Sequence, residues 1–228
     1  MNLTEYLFDV THWQSGGTIT VGLVQHLFYT GAAMGMAALL AIPLGIGIGH
    51  TGRGSFLVVS FGNAMRSIPT LGLLVLAVLV LGTGRVNVIG VLAVLALPPI
   101  LTATAAGIQG ADREAVHAAR ALGMSEAQVI GKVEWPLALP LVISGLRSAT
   151  LQVVATATVA AYAAGGGLGR LLISGQASQD YPQMFAGAVL VAILAIVLDI
   201  LLGGLGWLLA RRSRPGRKIP SIMAAAPV

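Results

Sequence analysis

Apolar residues fall in five long blocks, at about 20–48, 57–82, 87–109, 139–164 and 184–210, separated by short polar stretches. Each block supplies the roughly 20 apolar residues that an α-helix needs to cross the hydrocarbon of a membrane. The pattern predicts an all-α integral membrane protein with five transmembrane helices. One polar stretch breaks the rhythm. Residues 112–136, DREAVHAARALGMSEAQVIGKVEWP, hold four of the eight carboxylates and three of the thirteen cationic side chains.

Composition agrees with the pattern. The chain has 228 residues, 56% hydrophobic and 9% charged, with a mean hydropathy of +0.88; a soluble domain carries about 25% charged residues. At this length one helical bundle is expected, divided into an outer or interfacial segment 1–19, a transmembrane domain 20–211 with a polar loop 110–138, and a basic tail 212–228. Leu3, Tyr6, Leu7 and Val10 fall at helical spacing with Trp13 beside them, so the first segment is either a short helix lying at the interface or a frayed terminus. The absence of cysteine excludes disulfides and thiolate chemistry.

Charge sets the orientation. With the N-terminus outside, Arg53, Arg113, Arg120, Lys132, Arg211, Arg212, Arg214, Arg217 and Lys218 all lie inside, against Arg85 and Arg170 outside. The positive-inside rule then predicts an outer N-terminus and a cytoplasmic C-terminus. It makes the basic tail a contact for anionic lipid rather than for nucleic acid. Pro43, Pro69, Pro98 and Pro99 predict kinks or breaks within spans, and the runs GAAMG at 31–35 and GGLG at 203–206 predict close helix packing.

Within the polar stretch, Asp112 suits an N-cap, Glu114 a first turn and Gly123 the left-handed position that ends a helix. The ten or so residues between them make a helix of roughly 15 Å. Arg113, His117 and Arg120 share one face, and Ala115, Val116, Ala119 and Leu122 make a shallow apolar one. Ser125 and Gln128 form a capping box opening a second helix, which Pro136 and Pro140 are expected to break. So short a helix is unstable alone. It must dock, either in a groove of a cytoplasmic partner or on its own protein.

The spacing HAARALG, nine residues, VEWP resembles the EAA loop of ABC importer permeases, which runs Glu-Ala-Ala, three residues, Gly, nine residues, Ile-x-Leu-Pro. His117, Ala118, Ala119, Gly123, Val133, Trp135 and Pro136 take those positions, with histidine where the family's glutamate is usual. A constant anion is thereby replaced by the one side chain that changes charge in the physiological range. The segments NAMRSIPTLGLL, LPPILTATAAGI, SGLRSATLQVVATATVAAYAAGGGLG and VLDILLG are similar to the glycine betaine, carnitine and choline branch.

The resemblance implies the type I importer permease fold in a prokaryotic inner membrane. It also implies ATPase subunits below, a second permease copy or paralogue alongside, and an extracytoplasmic binding protein that delivers a small osmoprotectant solute. Arg113, Glu114, His117, Ala118, Ala119, Arg120 and Gly123 then become the ATPase-coupling residues. No cofactor is expected in this chain, ATP and magnesium belonging to the partner, and no G-x-x-x-x-G-K-[ST] run is present.

Tyr162, Arg66 and Asp199 are the pathway or gate candidates. Arg66, Arg147 and Asp199 lie roughly 10 to 18 Å into their spans, where charges pair or line a pathway, and a structural ion pair of Asp199 with Arg147 or Arg66 is favoured. No catalytic or metal-ligating set is expected: there is no H-E-x-x-H or G-x-S-x-G, and the four histidines have no ligand spacing. An importer of another small solute and a non-transporting membrane scaffold are the alternatives.

Overall fold

The computed structural model describes residues 3–164 and 166–212, without the side chains at 59, 66, 163–164 and 210–212. The Arg66 side chain and the basic residues of the tail lie outside this set. Two short helices, α1 (Leu3–Phe8) and α2 (Val10–Trp13), precede the long α3 (Thr18–Thr51). Then come α4 (Ser55–Ser67), α5 (Thr70–Leu81), α6 (Arg85–Gln109), α7 (Arg113–Ala121) and α8 (Glu126–Val129). The last runs through a π turn at Ile130–Glu134 into α9 (Trp135–Ala164), and α10 (Gly169–Ser178) and α11 (Tyr181–Arg212) complete the described chain. All regular structure among the described residues is helical.

Four stretches, Val10–Thr51, Arg85–Gln109, Glu126–Tyr162 and Tyr181–Leu209, are long and apolar enough to cross a membrane. The predicted span at 57–82 is instead two helices bent by 87° at a break. Pro69 explains the bend: it donates no N–H, and the residue before it, Ile68, is driven to an extended backbone (φ −80°, ψ 126°) that ends α4. Pro43, Pro98 and Pro99 break nothing, since α3 and α6 run on through them.

The break expected at Pro136 and Pro140 is also absent. A proline ring clashes with the carbonyl four residues earlier. For Pro136 that carbonyl belongs to Lys132, inside the π turn, where the wider i to i+5 spacing relieves the crowding. The hydrophobic pattern predicts no helix at 169–178, where α10 forms.

The core is built on a four-residue repeat in α3. Tyr29, Ala33, Ala37, Ala41, Gly45 and Gly49 are all buried along one stripe, and it packs on Leu92, Leu95, Ala96 and Ile100 of α6, with Ala149, Val153 and Ala157 of α9 behind. The most apolar window of α6 is 67% buried against 17% for that of α11, which makes α6 the hub and α11 a peripheral helix. The glycines of GAAMG are not the packing ones, for Gly31 and Gly35 face open space. Closest approach comes further along: a Cβ on Gly45 would stand 2.6 Å from Cβ of Thr104, and one on Gly49 2.6 Å from Cβ of Ile108.

Gly49→Leu should therefore force α3 away from α6 and destabilise the protein by about 1–3 kcal/mol, as overpacked cores do. A lowered unfolding midpoint in detergent would register it, whereas Gly47→Leu, with nothing within 4 Å of its would-be Cβ, should be tolerated.

The N-terminal segment is helical and packs on its own chain. Tyr6 is buried with Ile19, Leu168 and Leu171 and stacks on His12 at 4.2 Å between ring centroids. Trp13 Nε1 donates to the Leu7 carbonyl at 2.7 Å.

Candidate coupling helix and pathway residues

Helix α7 projects from the end of the bundle formed by the C-terminal turns of α3 and α6. Asp112 Oδ1 accepts from the Glu114 amide at 2.9 Å, satisfying one of the free N–H groups of its first turn. At the other end Gly123 takes φ +80°, a conformation that costs a side chain but not glycine. Its amide donates to the Arg120 carbonyl at 2.9 Å, and that of Met124 to the Ala119 carbonyl at 3.2 Å. Both ends of α7 are thus specified by its own sequence.

Its apolar face differs from the expected one. Val116 and Ala119 are buried against Ala111 and Val129 of the same chain, whereas Leu122 is 84% exposed. Leu122 is the C-cap, and at about 100° per residue it lies about 90° around the axis from the middle of the Val116–Ala119 stripe, at its edge rather than within it. The outward surface is therefore Glu114, Ala118 and Ala121, with Leu122 at its tip, all exposed, whereas His117, also exposed, lines the space between α7 and the end of α3. Leu122 is the residue the sequence pattern misplaces.

Arg120 in the last turn of α7 clamps Glu126 in the first turn of α8, its Nε and Nη2 lying 3.0 and 2.9 Å from the two carboxylate oxygens. The Arg120 guanidinium holds the Glu126 carboxyl below the usual carboxylate range. A native carboxylate with a lowered pKa stabilises the fold above its unfolded-state pKa and loses that contribution as pH falls through the native value. Acidification below about pH 4.3 should therefore loosen the α7–α8 corner. A rise in amide exchange over 113–129 relative to α6 as the pH falls would report it, and Glu126→Gln should remove that pH dependence.

Two of the three deeply placed charges meet. Arg147 Nε donates to Asp199 Oδ1 at 2.8 Å and Nη2 to Oδ2 at 2.6 Å, the two-pronged geometry suited to a planar guanidinium. Arg147 stands about 18 Å along α9 from Trp135, and Asp199 about 20 Å along α11 from Arg212, at 1.5 Å per residue. The pair is only half covered, with side-chain exposures of 41% and 30%.

Tyr162 is not part of this cluster. It lies roughly 22 Å further along α9, 63% exposed. Its hydroxyl donates to Gln176 Oε1 at 3.0 Å, and its ring closes an apolar cleft of about 130 Å³ shared with Leu74 and Val75 of α5. His26, which the sequence suggests is a packing residue, is fully buried, with Nε2 3.2 Å from the Val154 carbonyl.

The profile of one family, described as the binding-protein-dependent transport system inner membrane component, matches residues 41–215. The chain belongs to that family. Among its relatives, the glycine betaine/carnitine/choline transport system permease protein OpuCB of Bacillus subtilis is 32% identical over 188 residues, covering 82% of this chain and 87% of that one. The carnitine transport permease protein OpuCD of Listeria monocytogenes is 31% identical over 205 residues, or 89% and 91% of the two chains. A solved structure of the MetNI methionine ABC transporter in inward facing conformations superposes with a TM-score of 0.69 at 22% identity, covering 86% of this chain and 96% of that one.

This inner membrane component is accordingly a transport subunit of an ABC importer, a multi-pass protein with the permease fold. ATP hydrolysis belongs to the partner ATPase, and delivery of the solute to a binding protein.

Proposed function

We propose that the protein forms the translocation pathway of an importer for small quaternary amines of the glycine betaine, carnitine and choline type, with α7 as the element that docks on the ATPase. The observation that carries this reading is the capped α7 itself. It is fixed at both ends by Asp112 and Gly123, uses Val116 and Ala119 to hold onto its own chain, and leaves Ala118 and Leu122 facing outward. The transported solutes named for relatives at 31–32% identity over most of the chain support the substrate class. The α4–α5 pair counts as a single broken span in this reading, giving five crossings. The nine-to-two distribution of Lys and Arg puts the N-terminus outside and α7 in the cytoplasm. A second permease copy or paralogue completes the pathway, and ATP with its magnesium is held by the ATPase.

Uptake by proteoliposomes containing the permease, its ATPase and its binding protein tests the proposal. Choline, carnitine and glycine betaine should stimulate ATP hydrolysis and accumulate, while methionine should do neither. Stimulation by an unrelated solute alone would overturn the substrate class and leave the importer standing.

A further inference from the structure

His50, in the last turn of α3, lies between two carboxylates. Its Nδ1 is 2.8 Å from Glu134 Oε2 and its Nε2 is 3.1 Å from Glu126 Oε2. An imidazole presents two N–H donors only when protonated, so with both carboxylates ionised this geometry is satisfied by the cation and not by the neutral ring, which would turn a lone pair toward one of them. Glu134 is 5% exposed and sits in the π turn that feeds α9; a carboxylate so deeply covered requires a cation beside it. Glu126 passes the connection on to Arg120 of α7. The four side chains therefore join α7, the entrance of α9 and the end of α3.

Close packing ties α7 to α8 and the π turn through Val116, Ala119, Val129 and Val133, but that cluster includes no residue of α3. A cavity of about 610 Å³ separates the two sides, lined by Gly49, His50 and Ile108 from the spans and by Arg113, His117 and Arg120 from α7. A load applied to α7 would tilt it into that space unless side chains bridged it.

We propose that His50 is a positioning residue: as an imidazolium held between Glu126 and Glu134, it clamps α7 to the ends of α3 and α9, so that motion imposed on α7 is delivered to the spans. The inference rests on the reading of α7 as the ATPase-docking helix. The charged and titratable groups around the ring are Glu126 and Glu134 in contact, Arg120 behind Glu126, and Arg113 and His117 across the cavity.

The test uses the complete transporter in proteoliposomes, measuring ATP hydrolysis and choline uptake. His50→Gln should retain bound ATPase and basal hydrolysis but lower uptake per ATP by at least about fivefold, the lower end of typical coupling between sites. His50→Arg, a permanent cation for which the cavity has room, should restore the ratio. Should His50→Gln fail to assemble, Glu126→Gln is read in its place. It opens the exposed half of the clamp while leaving Glu134 paired, and the same loss is expected.

A wild-type ratio in His50→Gln, or in Glu126→Gln where that is the variant read, overturns the clamp, as does a His50→Arg variant that folds and assembles but leaves the ratio as low as His50→Gln does. Leu122→Asp separates the two readings. If it leaves ATPase binding intact, the docking role of α7 fails; if it abolishes binding while His50→Gln keeps its ratio, only the clamp fails.

Discussion

Asp199→Asn is expected to reduce the amount of assembled transporter in the membrane by at least about tenfold, because it leaves the Arg147 guanidinium near the middle of the membrane without its counter-ion. The two hydrogen bonds to Asp199 use one edge of the guanidinium, and an amide can accept only one of them. Removing a single partner exposes the other charge, whereas replacing both with apolar residues of similar size does not. Arg147→Leu/Asp199→Leu should therefore recover most of the assembly that either single variant loses. Quantifying the permease–ATPase complex after detergent extraction decides the matter. Normal assembly of Asp199→Asn combined with lost uptake would instead place the carboxylate on the solute pathway, which the half-exposed position of the pair also allows for in geometry.

Leu122→Asp is expected to abolish co-purification of the ATPase and, with it, solute-stimulated hydrolysis, a loss of at least about a hundredfold in affinity if Leu122 is a central contact of the interface. The side chain is 84% exposed, so the variant should fold and insert normally. Ala118, one turn back on the same outward surface, should tolerate Ser but not Trp, since small residues permit close approach of a partner. Because the chain contains no cysteine, Leu122→Cys supplies a unique thiol, and a disulfide with a cysteine placed in the ATPase cleft would map the contact. Efficient hydrolysis by Leu122→Asp would show that the ATPase grips another surface.

The helices were legible because their determinants are local. A block of about 20 apolar residues has no stable alternative in lipid, and Asp112 and Gly123 act on groups within a few residues of themselves. The prolines mark the limit of local reasoning. The same residue ends α4 at Pro69, is accommodated in α3 and α6, and at Pro136 is absorbed by a π turn. What differs is whether neighbouring backbone can rearrange to take the ring and the lost hydrogen bond, and that depends on packing. The face of α7 was half legible for a related reason. Helical periodicity places Val116 and Ala119 together correctly, but it leaves Leu122 at the edge of their stripe, and only the packing shows that the buried face stops short of it.

Sequence alone determined that the protein is helical and membrane-embedded, where its polar loop lies, and where the loop helix begins and ends, since hydrophobic length, charge and capping act over distances the chain spans locally. Tertiary structure alone decided that Arg147 faces Asp199, 52 residues away, and that His50 meets Glu134 across 84 residues. Hydropathy registers that these side chains are polar but carries nothing about which helix faces which. Small residues make part of that choice: the stripe of alanine and glycine on α3 lets α6 approach, and Gly203 and Gly206 of α11 lie against Arg147 and Ile143 of α9.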